Sequence, residues 1–233
     1  MNLETAKRAA GEAAAELVQD GMRVGLGTGT TARWFVTALG HRIAAGLRVS
    51  GVATSYATQR LAQEADVPLH DLTAQGLDLA VDGADQVDPK GNLIKGGGGA
   101  LVREKIVAAS ATRFVVVIDS TKLVPALGGR LPIELLGFGV ERTLAALERT
   151  GGRFFLRETP EGEVERSENG NLLADGVYPQ IEDVDALAAQ LDATPGVVDH
   201  GMFLGMASLV LVGHEDGTVE EINAAGRTVD AGG

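Results

Sequence analysis

The sequence contains no cysteine, few aromatic residues and fewer basic than acidic residues. Without cysteine, the chain can form no disulfide, use no catalytic thiolate and bind no zinc through sulfur. The 20 lysine and arginine residues against 32 aspartate and glutamate residues give a formal net charge of -12. Because a nucleic-acid-binding protein needs a basic surface to neutralise phosphates, the composition predicts that nucleic acid is not a partner.

Long hydrophobic runs are also absent. No apolar run approaches the roughly 20 residues that a transmembrane helix needs, so no membrane partner is expected. The first 20 residues lack the basic start and apolar core of a signal peptide, which together with the missing cysteine predicts a cytoplasmic protein. The histidines are scattered without metal-ligand spacing, so we expect surface or loop residues and no metal site. They are His41, His70, His200 and His214.

The first 130 residues alternate apolar, strand-like runs with helical patterns. We predict strands at residues 22–26, 47–53, 67–72, 77–81 and 113–119. We predict helices at residues 3–20, 32–39 and 56–65, and a further helix starting near residue 100. This alternation is typical of the α/β class and predicts a doubly wound, mostly parallel sheet.

The pattern changes near Gly128, where short strands and helices succeed one another as in a small α+β unit. An apolar run at residues 208–213 predicts a last strand that returns to the first sheet. We therefore predict a Rossmann-like catalytic domain at residues 1–130 and 206–233, with a smaller α+β domain inserted at residues 131–205. The end of the chain, residues 224–233, is expected to be frayed.

The most informative segment is residues 82–105, which read DGADQVDPKGNLIKGGGGALVREK. Asp82 and Asp85 follow an apolar run and should lie at the carboxyl end of a strand, where open α/β sheets bind ligands. Residues 96–99 are all glycine, which lets backbone N–H groups approach a ligand. Glu104 follows in the first turns of a predicted helix, near the positive end of its dipole. The alternative is a solvated glycine-rich loop, with Glu104 an exposed helix residue.

Two other turns complete the pattern. Residues 27–31, GTGTT, lie between a predicted strand and a helix, an arrangement that binds phosphate through backbone N–H groups. The turn matches neither the P-loop nor the dinucleotide fingerprint, which wants glycine or alanine where Thr30 stands, and a structural tight turn is the alternative. The predicted strand at residues 113–119 leads to Lys122, which could equally be a surface lysine.

In combination, these motifs resemble ribose-5-phosphate isomerases of the A type, from the first helix to about Thr218. The motifs are GLGTGTTA from Gly25, DGAD from Asp82, KGGG from Lys95, REK from Arg103 and STK from Ser120. The resemblance implies a substrate site formed by Thr28, Gly29, Thr30, Thr31, Asp82, Gly83, Ala84, Asp85, Lys95, Gly96, Gly97, Gly98 and Lys122. It implies Glu104 as the proton acceptor.

The resemblance also implies a homodimer or homotetramer that acts on a small sugar phosphate without metal or cofactor. Two residues depart from the family pattern. Thr30 stands where serine is common, and Gln86 stands where glutamate is usual, which removes a negative charge from the neighbourhood of the predicted site. Neither change affects the expected reaction class.

The expected chemistry is the interconversion of ribose 5-phosphate and ribulose 5-phosphate through an enediolate. A single carboxylate can carry the proton between C2 and C1 if burial brings its pKa closer to the operating pH. We predict Glu104 as this base, with Lys95 and the amides of Gly96–Gly98 stabilising the developing oxyanion. Asp82 or Asp85 would move the hydroxyl protons and open the sugar ring, and sequence does not separate their duties.

Three other functions are compatible with parts of this pattern. A non-catalytic sugar-phosphate sensor would be expected to carry a basic DNA-binding segment, and none precedes Leu3. A nicotinamide-dependent oxidoreductase would need an acidic residue about twenty positions beyond the glycine turn, where residues 47–50 read LRVS. A sugar-phosphate deaminase, similar in fold, is the nearest enzyme alternative.

Overall fold

A computed structural model describes residues 2–224 of the chain. The predicted frayed end therefore lies outside the described residues, apart from Ala224. Within the described part, no helix combines the length and the apolar character needed to cross a membrane.

The described residues form six α-helices and thirteen strands. The helices are α1 (Leu3–Glu16), α2 (Ala32–Ala44), α3 (Tyr56–Glu64), α4 (Leu101–Ala109), α5 (Val140–Leu147) and α6 (Val184–Asp192). The first seven strands are β1 (Arg23–Leu26), β2 (Ser50–Ala53), β3 (Leu77–Asp82), β4 (Gln86–Val87), β5 (Leu93–Ile94), β6 (Ala111–Asp119) and β7 (Gly129–Leu135). The others are β8 (Arg153–Leu156), β9 (Leu172–Tyr178), β10 (Val197–His200), β11 (Met202–Phe203), β12 (Leu209–Gly213) and β13 (Val219–Asn223).

The chain divides into two compact units. Unit 1 comprises residues 2–84, 103–122 and 205–224 of the described chain, and unit 2 comprises residues 85–102 and 123–204. The predicted boundaries differ from this division because they assign residues 85–102 and 123–130 to the first domain. Residues 85–102 group with unit 2 because β5 pairs with β11 and Ile94 packs in the same core as Leu131.

Unit 1 is built on a six-stranded sheet in the order β13-β12-β6-β3-β1-β2. All neighbours pair in parallel except β12 and β13, so the predicted α/β class and mostly parallel sheet are confirmed. The predicted last strand does return to this sheet, as β12 beside β6. The predicted strand at residues 67–72 is reduced to one bridge between Gly51 and Leu69. Pro68 explains this, since it has no N–H to donate to a ladder.

Helices cover both faces of this sheet. Val24 and Leu26 of β1 point into a core shared with Phe35 of α2 and with the alanines of α1. Gly25 points to the opposite face because successive strand residues alternate. A Cβ on Gly25 would overlap with Val107 of α4, so α4 lies directly on β1 across from α1 and α2. The sheet is therefore doubly wound, as predicted.

Unit 2 contains a four-stranded antiparallel sheet, β10-β7-β9-β8, and a three-stranded sheet, β11-β5-β4. Leu131, Ile133 and Leu135 of β7 form the centre of its core. Leu187 and Leu191 of α6 are buried in the same cluster. This is the additional α+β unit that the sequence pattern indicates.

Candidate active site

The strand ends of unit 1 bring four polar segments to one edge of the sheet. Leu26 of β1 is opposite Val81 of β3 and Ala53 of β2. Asp82 is opposite Val116 of β6, three residues before that strand ends. The segments that follow these ends are residues 27–31, 54–55, 83–84 and 120–122. Their convergence is the ligand-binding arrangement of an open α/β sheet.

Asp82 is a buried acid of this edge and is only 3% exposed. Its Oδ1 accepts hydrogen bonds from the backbone N–H of Thr28 (3.0 Å) and of Gly83 (2.7 Å). A Cβ on Gly27 would overlap with the Asp82 carboxyl group, so only glycine lets the turn approach so closely. Asp82, Thr28 and Gly83, all predicted site residues, are thus brought together.

The side chain of Thr28 belongs to a cluster of hydroxyl groups that sequence analysis did not identify. Its Oγ1 lies 2.8 Å from Thr54 Oγ1 and 3.0 Å from Thr58 Oγ1, and it donates to Ser55 Oγ at 2.7 Å. Thr58 Oγ1 in turn donates to the carbonyl of Gly27 at 2.9 Å. The cluster thus stabilises the turn at residues 27–31 through Thr28 and the carbonyl of Gly27. Ser55 also caps α3 by accepting a hydrogen bond from Thr58 N, which is a local feature. Thr58 itself gives no signal in the sequence because its role depends on tertiary contact.

The remaining amides of the turn are open. Among residues 2–224, no hydrogen bond uses the backbone N–H of Gly29, Thr30 or Thr31. Helix α2 begins directly after them, so these donors lie at the positive end of its dipole. A cavity of about 290 Å³ borders the turn and is lined in part by Thr30 and Arg33. The turn therefore has the donors that an anionic group requires.

Glu104 is buried, with 5% of its surface exposed, in the first turn of α4. It precedes Val107 by three residues and so shares the helix face that packs on Gly25. A crossover helix runs antiparallel to the strands, which puts Glu104 nearer than Val107 to the carboxyl end of β1. The alternative that Glu104 is an exposed residue on the surface of its helix is therefore excluded.

Lys122 ends a short 3₁₀ turn, Ser120–Lys122, that follows β6. This turn is fixed by Asp119, whose Oδ1 accepts hydrogen bonds from both the N–H and the hydroxyl of Thr121. Asp119 is buried at the carboxyl edge of the sheet. The Asp119 side chain therefore stabilises the turn that ends at Lys122.

In unit 2, Asp85 and the glycine segment lie against each other. Asp85 Oδ2 accepts a hydrogen bond from the N–H of Gly97 at 2.8 Å, and Asp85 N donates to the carbonyl of Ile94 at 2.8 Å. Gly97 and Gly98 are exposed, as is Asp85. Gly96 and Gly99 have φ angles of +95° and +81°, which favour glycine and account for the run.

Lys95 is buried despite its charge and is 2% exposed. Its N–H donates to the carbonyl of Gly201 at 2.8 Å, and its ammonium lies 5.4 Å from the centre of the Phe203 ring, within cation–π range. A desolvated ammonium, on the residue that precedes the glycine segment, suits the stabilisation of negative charge.

Gln86 has a structural task within unit 2. Its amide donates to the carbonyl of Gly128 at 2.7 Å and accepts from the N–H of Gly128 at 3.1 Å. A glutamate could accept but, when ionised, could not donate. Gln86 therefore pairs with the backbone of Gly128 in both directions, which an ionised glutamate could not do.

His200 differs from the expectation for the histidines, since it is a buried residue of β10. Together with Asp192 and Asp199 it forms the group of the described residues whose spacing could hold a metal. Its Nδ1 accepts from Met202 N at 3.2 Å, and its Nε2 lies 3.2 Å from Asp192 Oδ1. Both ring nitrogens thus have partners within the protein, which accounts for the burial without an ion.

Comparison with known proteins gives a consistent result. Residues 50–217 match the family model described as ribose 5-phosphate isomerase A, phosphoriboisomerase A. The ribose-5-phosphate isomerase A of Thermomicrobium roseum is 50% identical over 93% of both chains. The ribose 5-phosphate isomerase of Plasmodium falciparum superposes with a TM-score of 0.91 at 35% identity, covering 95% of this chain and 99% of that one. A D-ribose-5-phosphate isomerase solved in complex with phospho-erythronic acid gives 0.91 at 36% identity, with 96% and 100% coverage.

The close approach of Gly27 to Asp82 can be tested by stability. We expect Gly27→Ala to lower the free energy of unfolding by about 1–3 kcal/mol, because the added methyl group must displace the buried carboxylate. The measurement is urea denaturation followed by circular dichroism. Gly137→Ala is the control, because its Cβ would meet no atom closer than 4.0 Å. Equal stability of the two variants would contradict the packing described.

Proposed function

The chain belongs to the ribose-5-phosphate isomerase A family of enzymes, and we propose that it interconverts ribose 5-phosphate and ribulose 5-phosphate through an enediolate, as in the non-oxidative branch of the pentose phosphate pathway. The observation that carries this proposal is the burial of Glu104 in the first turn of α4. A family member that had become a sensor would have no need to keep a carboxylate in so costly a position.

The phosphate of the substrate binds at the turn formed by residues 28–31. The open amides of Gly29, Thr30 and Thr31 at the start of α2 support this assignment, because they provide several aligned donors for one anion. The hydroxyl of Thr28 points into the cluster with Thr54, Ser55 and Thr58, so Thr28 acts through the turn that it stabilises. Lys122 provides a cationic side chain for the substrate.

Glu104 takes the proton from C2 and returns it to C1. Removal of the C2 proton leaves the electron pair of the broken C–H bond in the enediolate, whose negative charge needs stabilising donors. Return of the proton to C1 uses that electron pair to form the new C–H bond. Lys95 and the amides of the Gly96–Gly98 segment supply these donors; within the segment the N–H of Gly97 holds Asp85, which leaves the N–H of Gly98 for the oxyanion. The burial of Lys95 supports its role because desolvation strengthens its field. No metal or other cofactor is required for these steps.

The two aspartates have different roles in this scheme. Asp82 is buried, and one of its oxygens accepts two backbone hydrogen bonds, which suits a group that orients a sugar hydroxyl. Asp85 is exposed and is held by Gly97 through one oxygen. Asp85 is therefore assigned to proton transfer among the hydroxyls and to opening of the furanose ring. Gly83 and Ala84, which lie between the two aspartates, line the substrate site.

We further propose that the chain acts as a homodimer or homotetramer in the cytoplasm. Exposed apolar side chains support self-association, since Phe138 is 97% exposed and Tyr56 and Ile106 are each about half exposed. Sedimentation velocity at micromolar concentration should show a single species of two or four chains. A species with the mass of one 24.1 kDa chain would contradict this part of the proposal.

The reaction is tested by incubating the purified protein with ribose 5-phosphate in the presence of EDTA. We expect ribulose 5-phosphate to accumulate to equilibrium, because proton transfer by a carboxylate needs no metal. A parallel incubation with glucosamine 6-phosphate should release no ammonia. Ammonia release without pentose isomerisation would indicate the deaminase alternative, and loss of isomerisation in EDTA would exclude the metal-free scheme.

The base is tested by Glu104→Gln, which keeps the size of the side chain and removes the proton acceptor. We expect kcat to fall by a factor of about 10²–10⁴ or more, with binding of phospho-erythronic acid largely unchanged. Glu141→Gln is a matched control, because Glu141 also lies in the first turn of a helix and is exposed. Near-normal turnover of Glu104→Gln would show that another group is the base.

A further inference from the structure

Arg157 is a buried arginine of unit 2 that directly follows β8. It is 5% exposed, and its guanidinium makes four hydrogen bonds. Nε and Nη2 donate to the two oxygens of Asp175 at 2.9 and 2.8 Å. Nη2 also donates to the carbonyl of Gly96 at 3.0 Å, and Nη1 donates to the carbonyl of Gly97 at 3.3 Å. One side chain thus joins a buried carboxylate to the glycine segment.

Asp175 fixes the orientation of this guanidinium. Asp175 is 1% exposed, and each of its two carboxylate oxygens accepts a hydrogen bond from Arg157. This two-point contact sets the plane of the guanidinium. Arg130, which is half exposed, pairs with Asp175 at 2.7 Å from the other side. The hydrogen bond to Asp175 raises the pKa of the Arg130 guanidinium. Among residues 2–224, Arg130 makes no hydrogen bond to the glycine segment. Of the two arginines that pair with Asp175, Arg157 is therefore the one that contacts these glycines.

The contacts of Arg157 determine where the glycine amides point. A peptide group is planar, so the carbonyl of one residue and the N–H of the next are fixed together in opposite directions. Holding the carbonyl of Gly96 therefore directs the N–H of Gly97, which donates to Asp85 at 2.8 Å. Holding the carbonyl of Gly97 directs the N–H of Gly98, which no hydrogen bond of the described residues uses. Glycine has no side chain to oppose rotation of these groups.

We infer that Arg157, oriented by Asp175, is a positioning residue: through the carbonyl of Gly97 it aims the N–H of Gly98 at the oxyanion of the reaction, and through the carbonyl of Gly96 it keeps the N–H of Gly97 on Asp85. The inference rests on the proposed function, in which the glycine segment stabilises the enediolate and Asp85 moves the hydroxyl protons. Arg157 reaches the glycines only through their carbonyls, so it acts on the reaction by orienting their N–H groups. Lysine could not replace it, because one ammonium cannot pair bidentately with Asp175 and also span two carbonyls.

The test uses the double variant Arg157→Met/Asp175→Asn, which removes both charges and so leaves no unpaired buried ion. We expect kcat/KM for ribose 5-phosphate to fall about 10- to 100-fold, mainly through kcat, because the donors become misaligned. Hydrogen–deuterium exchange should accelerate in the glycine segment at the N–H of Gly97, which is protected by its bond to Asp85, and remain unchanged in β7 and β9. Arg130→Ala is the control. It also removes a cation that pairs with Asp175, but it should leave kcat and the exchange of the glycine segment as in the wild type.

Unchanged kcat/KM in the folded double variant would overturn the inference, as would exchange that accelerates equally throughout unit 2. If the double variant does not fold, Arg157→Lys replaces it, with the same expected loss of kcat and the same local exchange. The two proposals fail in different ways. If the wild type does not isomerise ribose 5-phosphate, the proposed function is wrong, whereas the exchange comparison still decides whether Arg157 holds the glycine segment.

Discussion

The contact between Gly27 and Asp82 is the constraint on which the unit 1 part of the site depends. It joins the end of β1 to the end of β3 by placing a carboxylate where any side chain on residue 27 would have to be. The same carboxylate binds the amides of Thr28 and Gly83 and so fixes both turns with one group. The amides of the next residues are then left at the start of α2, free to meet an anion.

The two units fix their backbone donors by different means. In unit 1, a neutral hydroxyl cluster around Thr28 supports the glycine turn, and Thr58 binds the carbonyl of Gly27. In unit 2, a buried ion pair supports the glycine segment, with Arg157 binding carbonyls in the same way. In both cases a carbonyl is held from one side, and the planar peptide group presents its N–H on the other. The side chains named by the motifs thus depend on partners that lie far away in sequence.

The fold was largely predictable because its signals are local. Apolar runs and the turns after them located β1, β3 and β6, and the motif at residues 82–85 followed from the end of β3. The hydroxyl cluster and the Arg157–Asp175 pair were not predictable, since each joins residues that are 18 or more positions apart. A threonine on a helix or an arginine after a strand carries no sign of its partner. The grouping of residues 85–102 with unit 2 depends on distant partners in the same way, namely the pairing of β5 with β11 and the packing of Ile94 beside Leu131.

Proton exchange with solvent tests the enediolate and its carboxylate base most directly. Ribose 5-phosphate is incubated with the wild-type enzyme in deuterium oxide over many turnovers, and both sugars are examined by NMR. Transfer through a carboxylate predicts stereospecific deuterium at C2 of ribose 5-phosphate and at one position of C1 of ribulose 5-phosphate. The deuterium should be nearly lost in Glu104→Gln, whereas deuterium that enters that variant at the wild-type rate would contradict the proposed role of Glu104.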